Sequence, residues 1–507
     1  MLLRDLLHTP DIRDQSGPLD RDVQGLACDS RRVREGYAFF ALAGQSADGH
    51  DYVEEAVRRG AAAVVVERSV PVSPEAACVR VPDTRQAVAH AAAVFFGRPS
   101  RGLVLVGVTG TNGKTTVTYL LDAVFSAAGH PCGVIGTISQ RYGGWQRPAP
   151  LTTPESIDIE ELLSDMAAAG VRFVAMEVSS HALDLRRVHG LDFDGAVFTN
   201  LSRDHLDYHR DMETYFASKT RLFTDCLPAS VKERPFAVIN ADDPRGPELA
   251  RLAGEAGLAT LTYGRSPERD IHPVAFESGL DGLKGTLACG EQRIEFESAL
   301  MGELNLENIL AAAGAAWALG LGPEAIAAGL SRLERVPGRL ERVPNSLGIT
   351  LVVDYAHTPD ALAKVIRALR ALTRERLITV FGCGGDRDPG KRAVMGEIAA
   401  AESDCVVLTS DNPRGEDPLA IIRDIEEGVR GGGMKRLGDS GAAAPQAGYR
   451  VEPDRRSAIR LGLSMATPGD VLLVAGKGHE DYQIVGKRRL RFDDRQVLRE
   501  EVHGAGG

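Results

Sequence analysis

One stretch constrains the fold of this chain more than any other: LVLVGVTGTNGKTTVTYLL at 103–121. An apolar run with β-branched residues leads into a turn holding Gly110 and Gly113, and then into Lys114, Thr115 and a segment of helical spacing. Such a run is what a strand buried on both faces requires, and strands of that kind belong to parallel sheets covered by helices. Gly110 and Gly113 admit backbone conformations closed to other residues and let N–H groups approach an anion without a Cβ in the way. The helix that follows adds the positive end of its dipole. Strand, turn and helix together make a phosphate cradle, in which Lys114 would neutralise β- and γ-phosphates and the Thr115 hydroxyl would ligate Mg2+. The strict pattern G-x-x-x-x-G-K-[ST] asks for Gly at 108, where this chain has Val108. The plainer alternative is a Gly-rich turn with a surface lysine.

The same grammar recurs along the chain. Apolar runs ending in Gly, Asp or Asn occur at 61–67, 173–180, 195–201, 236–240, 350–357, 377–385, 405–413 and 470–478. Segments of helical length, such as TVTYLLDAVFSAAG at 116–129, lie between them. The expected class is α/β with parallel sheets. With 507 residues, domains of about 100–200 residues predict roughly three of them. FFGRPSR at 95–101 and the Pro/Gly-rich RVPGRLERVPNSLG at 335–348 place the divisions at 1–100, 101–340 and 341–507. GGGMKRLGDSGAAAPQAGYR at 431–450 reads as a flexible loop, and no internal repeat is evident.

Composition excludes several classes. A net charge of −11 and 5% aromatic residues argue against non-specific nucleic-acid binding and against base-stacking platforms. The seven cysteines are odd in number, widely spaced and without a C-x-x-C pair, so neither a disulfide framework nor a cysteine zinc site is expected. MLLRDLLHTPDIRDQ has no apolar core of signal-peptide length, and the apolar runs fall far short of the ~20 residues that span a bilayer. The expectation is a soluble protein of a reducing cytoplasm.

T-G-T-N-G-K-T-T at 109–116 resembles the variant phosphate loop of the Mur ligases, and further motifs agree in order along nearly the whole chain. They are DSR at 29–31, DGH at 48–50, LTTPE at 151–155, EVSSHAL at 177–183, NLSRDHLDYH at 200–209 and YFASKTRLF at 215–223. NLENILAA at 305–312, PGRLE at 337–341, DYAHTPDAL at 354–362, GCGGDRDPGKR at 382–392, DNPR at 411–414 and GKGHEDYQ at 476–483 continue the series. The resemblance implies three domains: one binding a UDP-linked substrate, a central P-loop ATPase and a Rossmann-like C-terminal domain that binds an amino acid. It implies ATP, Mg2+ and an acyl-phosphate intermediate, and in particular the addition of meso-diaminopimelate to UDP-N-acetylmuramoyl-L-alanyl-D-glutamate in peptidoglycan synthesis. The expected partners are these small molecules, with no nucleic acid and no membrane insertion, and the chain is expected to be a monomer.

Amide formation from a carboxylate needs a better leaving group, which phosphorylation by ATP supplies. Because carboxylate, triphosphate and amino acid are all anionic, the site must supply cations. By resemblance, Gly110, Thr111, Asn112, Gly113, Lys114, Thr115 and Thr116 cradle ATP, Asn305 and Asn308 lie around the adenine, and Arg339 and Asp354 close over it. Also by resemblance, Thr115, Glu177 and His205 ligate Mg2+, and Lys219, carbamylated by CO2, supports a second metal. Read alone, Glu177 serves equally as a buried hydrogen-bonded acid, His205 as a structural histidine and Lys219 as a solvated lysine. Asn305 and Asn308 serve as caps, Arg339 as a hinge ion pair and Asp354 as a strand terminus. Cys28, Ser30, Gln45, Ser46 and Ala47 match the uridine-diphosphate positions. Thr152, Thr153, Ser179 and Arg187 match those of the muramoyl peptide. Leu185 stands where the family usually has Gln.

Diaminopimelate carries a carboxylate that lysine lacks, and Arg holds a carboxylate with fork geometry. Arg414 in DNPR and Arg387 in GDRD both follow strand ends. With Asp411, Asn412, Pro413, Gly476 and Glu480 they make the acceptor site that the resemblance implies, Glu480 being suited to the distal ammonium. The nearest alternatives are another amide ligase of the superfamily, lysine-adding or of folylpolyglutamate-synthase type, and a P-loop nucleotide switch. The first piece with DSR and DGH argues against the folylpolyglutamate type, and DNPR with GKGHE against the switch. A dinucleotide-dependent oxidoreductase is weaker still, because GCGGDR puts Arg387 where G-x-G-x-x-G needs its third Gly.

Overall fold

The computed structural model describes residues 1–7, 11–44, 47–438 and 447–505. The described residues form three helix-covered sheets in sequence, each built around strands that are apolar from end to end, and a two-stranded antiparallel ribbon of 482–485 and 488–491. The first has five strands, in the order 14–16, 77–80, 63–66, 37–40 and 25–27. All pair in parallel except 14–16, which runs antiparallel along 77–80. Helix Thr84–Phe95, capped by the Asp83 carboxylate on Gln86 N, covers one face with Leu3, Leu6 and Val79.

The second sheet has eleven strands, a parallel core of the expected kind with antiparallel strands added at its edges. Seven are parallel, in the order 271–279, 259–263, 236–240, 195–198, 104–109, 173–177 and 132–135. Antiparallel ribbons extend both edges: 282–289 and 292–298 on one side, 139–142 and 145–148 on the other. The cause lies in the residues. QRIEFES at 292–298 alternates exposed and buried, and WQRP at 145–148 is exposed throughout. Antiparallel ribbons tolerate one wet face, whereas buried parallel strands do not. Helices Lys114–Ala127, Glu303–Ala318 and Pro323–Arg332 cover one face of the parallel core. Helices Ser156–Ala168 and Gly246–Glu255 cover the other.

Strand Val104–Thr109, the first parallel strand of this sheet in the chain, lies in its middle, between 173–177 and 195–198. Its neighbours connect in opposite directions from there, so a crevice opens at the carboxyl ends, the usual ligand position in such sheets. The third sheet orders 341–343, 350–354, 471–475, 377–381, 405–408 and 448–451, all parallel except the first. The Pro/Gly-rich hinge at 335–348 thus supplies an edge strand, Glu341–Val343, of this sheet. Of the 431–450 loop, residues 439–446 lie outside the described residues, while helix Pro418–Gly431 and strand Gly448–Val451 bound it. All seven cysteines are free thiols. No described helix is long and apolar enough to cross a membrane.

Glu160 is an anomaly in this packing. It sits on helix Ser156–Ala168 at 2% exposure, and both carboxyl oxygens are buried with no hydrogen-bond partner. Burial pushes its pKa up to about 8, with Arg98 opposing and Asp192 reinforcing the rise. The folded chain therefore holds a proton that the unfolded chain releases near the ordinary value of 4.5. Between these values the folded state binds more protons, so stability falls as pH rises through that window, by up to about 1.4 kcal/mol per pH unit. Glu160→Gln should flatten the fall in melting temperature between about pH 5 and pH 8. An unchanged slope would show that Glu160 titrates normally.

Candidate active site at the carboxyl edge of the central sheet

The loop between strand Val104–Thr109 and helix Lys114–Ala127 has the left-handed backbone its glycines anticipate, with φ of +144° at Gly110 and +86° at Gly113. A Cβ on Gly110 would land on the Thr199 hydroxyl and lie 3.0 Å from Asn200 N. A Cβ on Gly113 would collide with Asn308 Oδ1. The loop is pinned by neighbouring strand ends. Thr111 N donates to Asn200 O (2.8 Å), Asn112 N to Asn200 Oδ1 (2.9 Å), and Thr199 Oγ1 to Asn112 O (2.5 Å). Thr115 and Thr116 are buried at the start of the helix.

Two lysines converge on one carbonyl. Lys114 Nζ donates to Gly110 O (2.8 Å) and Thr111 O (2.9 Å), and Lys219 Nζ donates to the same Gly110 O (2.8 Å). Lys219, on helix Met212–Arg221, is only 1% exposed and lies over the Tyr215 ring. Burial, and then the Lys114 charge, hold its ammonium well below the ordinary lysine range, with Asp204 opposing. Burial lowers Lys114 as well, with Glu177 and Asp204 opposing.

Glu177 ends its strand at 1% exposure. Its Oε1 accepts from Thr137 N (2.8 Å) and its Oε2 from Thr137 Oγ1 (2.9 Å). Thr137 Oγ1 also lies 3.0 Å from Thr152 Oγ1. Thr153 Oγ1 donates to Glu177 O (2.8 Å) and accepts from Ser179 N (3.0 Å), while Ser179 Oγ caps helix Ser180–Asp184 on Ala182 N. Arg187 donates to Thr153 O (3.0 Å) and pairs with Glu155 (2.7 Å). Leu185, half-buried, ends that short helix. His205 stands at φ +53°, its ring 4.8 Å from that of His181. Thr152, Thr153, Glu177, Ser179 and Arg187 are thus brought together.

The hinge reaches into the same crevice. Arg339 Nη2 lies 3.4 Å from Thr115 Oγ1, and its guanidinium lies over the Tyr355 ring. Asp354 accepts from Leu340 N (2.7 Å) and Ala356 N (2.7 Å), and burial raises its pKa against the pull of Arg339. Asn112 Nδ2 donates to Asp360 Oδ2 (3.2 Å), across 248 positions of sequence. Asn308 donates to Asn305 Oδ1 (3.0 Å), and Asn305 to Met301 O.

A second cluster lies at the carboxyl edge of the third sheet, on the loops after strands Cys405–Leu408 and Val471–Ala475. Arg414, at φ +52°, donates from Nη1 to Gly385 O (2.8 Å) and from its backbone N to Ile484 O. Asn412 Nδ2 donates to Glu480 Oε2 (3.0 Å). Lys477, fully buried, lies 2.9 Å from Glu480 Oε2, 3.2 Å from Asn412 Oδ1 and 3.5 Å from Asp411 Oδ1. Beneath both loops, Arg455 pairs with Asp494 (2.7 Å), both fully buried, and donates to Ser410 O and Ala475 O. Arg387 is exposed on the loop before helix Lys391–Glu402. Gly476 has φ +114°, and Pro413 is buried.

In the first sheet's region, Ser30 is buried and donates to Glu55 (3.0 Å). Burial and then Glu155 and Asp158 push the Cys28 thiol up. Ala47 is exposed beside Gly44, whereas Gln45 and Ser46 lie outside the described residues. Thr137, Asp360, Tyr355, Arg455 and Lys477 escaped the sequence analysis. Lys477 lies inside GKGHE, and Tyr355 and Asp360 inside DYAHTPDAL, but Thr137 and Arg455 stand in none of the quoted motifs.

A Gly-bearing strand–loop–helix with two lysines at its carbonyls, faced by a third sheet, defines a phosphate-loop protein of α/β class. Models of the Mur ligase family catalytic domain, middle domain and glutamate ligase domain match residues 22–96, 108–316 and 338–478. A Geobacter metallireducens protein named UDP-N-acetylmuramoyl-L-alanyl-D-glutamate–2,6-diaminopimelate ligase is 52% identical over 501 residues, covering 98% of each chain. A solved structure of an enzyme of that name superposes with a TM-score of 0.71 at 33% identity, covering 100% of this chain and 99% of that one. The MurF ligase of Thermotoga maritima in complex with ADP shares the fold, with a TM-score of 0.61 at 20% identity over 96% of this chain and 99% of that one. The chain belongs to the Mur ligase family and has its three-domain fold.

The loop geometry yields a direct test. Gly110→Ala should abolish ATP binding measured by calorimetry while far-UV dichroism stays native, because Cβ strikes the Thr199 side chain and crowds the Asn200 backbone. Undiminished ATP binding would remove the loop from the nucleotide site.

Proposed function

We propose that this chain is the ATP-dependent carbon–nitrogen ligase that joins meso-2,6-diaminopimelate to the D-glutamate of UDP-N-acetylmuramoyl-L-alanyl-D-glutamate in peptidoglycan synthesis. The observation that carries the reading is the end-to-end match with relatives of that name. The geometry supplies a reason for each step. Residues 110–116 and Lys114 take the ATP phosphates, Asn305 and Asn308 border the base, and Arg339 and Asp354 bring the third domain over the loop. The relation to a family structure with bound ADP supports the nucleotide. The first sheet, with Cys28, Ser30 and Ala47, takes the uridine diphosphate. Thr152, Thr153, Ser179 and Arg187 take the muramoyl peptide and place its glutamate carboxylate beside the loop. The domains divide near residues 100 and 340, between the three sheets.

Mg2+ prefers oxygen donors. Thr115 and Glu177 supply oxygens and His205 a nitrogen, and Lys219 adds oxygen only as a carbamate. The low pKa of Lys219 suits that change, because only the neutral amine attacks CO2. Bound there, the cation would offset phosphoryl charge. Lys114 stabilises the charge that moves onto the leaving phosphate. The glutamate carboxylate becomes an acyl phosphate, and the acceptor amine displaces phosphate from it. Arg414, with donors beyond the one given to Gly385, and Arg387 suit the acceptor's distal carboxylate, and Glu480 its ammonium.

A ligation assay with UDP-N-acetylmuramoyl-dipeptide and a panel of amino acids tests this reading. Phosphate release should depend on meso-diaminopimelate and be weak with lysine. Arg414→Ala should raise KM for diaminopimelate by the equivalent of roughly 2–5 kcal/mol and leave KM for ATP unchanged. Equal use of lysine by the wild type would refute the acceptor assignment.

The carbamate makes its own prediction. Lys219→Ala and Lys219→Arg should both lose ligation, since neither can become an anion. Acetate should partly restore the Ala variant and do nothing for the Arg variant, whose side chain fills the space with the wrong sign. Good activity in Lys219→Arg would exclude the carbamate.

A further inference from the structure

Lys477 has a full set of partners and no exposure. Its ammonium has three donors and meets three side-chain oxygens, of Glu480, Asn412 and Asp411, at 2.9, 3.2 and 3.5 Å. Asn412 Nδ2 donates to the same Glu480 oxygen, Oε2, and Asn412 Oδ1 also accepts from Ile484 N (2.9 Å). Both bonds to Glu480 end on Oε2, which leaves Oε1 as the oxygen for a further cation. Glu480 is half-buried and Asp411 buried, so the two carboxylates share a poorly solvated site in which Lys477 contacts both and the buried Arg455 is a second cation acting on both.

We propose that Lys477 is a positioning residue that sets acceptor specificity: it holds one oxygen of Glu480, so that the other meets the ammonium of a bis-zwitterionic amino acid. The proposal rests on the acceptor-site reading above. At zero exposure Lys477 cannot touch the acceptor, and it acts through Glu480 and Asn412.

The test uses the full-length enzyme with Lys477→Gln and Lys477→Met, the second keeping an unbranched stem in the buried space. Each substrate is varied in turn, and meso-diaminopimelate is compared with 2-aminopimelate, which keeps the attacking amine and both carboxylates but lacks the distal ammonium. The wild type should prefer meso-diaminopimelate. Both variants should raise KM for meso-diaminopimelate about tenfold or more, with KM for ATP and for the UDP-linked substrate within about twofold. Their preference over 2-aminopimelate should collapse towards unity. A purely structural lysine would raise all three KM values together or leave the preference intact, and either result overturns the proposal. Failure of both variants to fold would assign Lys477 to stability and overturn it as well. Arg414→Ala is the control. If it leaves KM for diaminopimelate unchanged, the acceptor-site reading itself fails. If it raises that KM while the Lys477 variants do not, only this inference fails.

Discussion

Two lysine Nζ groups share the carbonyl of Gly110, and much of the molecule is arranged around that crowding. Burying both at one oxygen requires surroundings that hold each in place. Here the rest of the fold supplies those surroundings. The strand before Gly110 is central in the sheet, Thr199 and Asn200 pin the loop from the next strand, and helix Met212–Arg221 delivers Lys219 from outside the sheet. The hinge contributes Arg339, and the third domain Asp360, to the same crevice.

The loops at the carboxyl edge of the third sheet, proposed above to hold the acceptor, are organised by a pair of buried cations. Arg455, neutralised by Asp494, hydrogen-bonds the backbone carbonyls of Ser410 and Ala475, which immediately precede Asp411 and Gly476. Lys477 then joins the side chains those loops carry. Removing one member of a buried ion pair leaves a charge uncompensated, typically costing a few kcal/mol. Loops anchored in this way resemble rigid elements more than ordinary connections, which suits a site that must tell one amino acid from another.

Much of the architecture was legible in the chain. The nine apolar runs that read as strands are strands, because a strand buried on both faces must be apolar at every position. The antiparallel ribbons at 139–148 and 282–298 were missed because neither carries a continuous apolar run: WQRP is exposed throughout and QRIEFES alternates. The hinge at 335–348 read as punctuation, and its Glu341–Val343 became an edge strand because Val352 and its neighbours offered an unpaired edge. Within the site, the glycines and Lys114 announced themselves by spacing. Thr137 gave no signal, since a threonine after a strand is commonplace, and Asp360, though inside DYAHTPDAL, reads as an ordinary aspartate of a helix's first turn.

The sequence by itself determined the class of fold, the position of the phosphate loop and the motifs that mark the family. These are local properties: burial on both faces selects apolar residues, and a left-handed turn selects glycine. Only the tertiary structure decided what each polar side chain is for. Glu177 and Thr137 are 40 positions apart, Lys219 and Gly110 109, and Asn112 and Asp360 248. Lys477 looks in the sequence like any solvated lysine, and folding buries it among Asp411, Asn412 and Glu480. Whether a charge is solvated or paired depends on which distant loops meet around it, and that is set by the packing of whole sheets and helices.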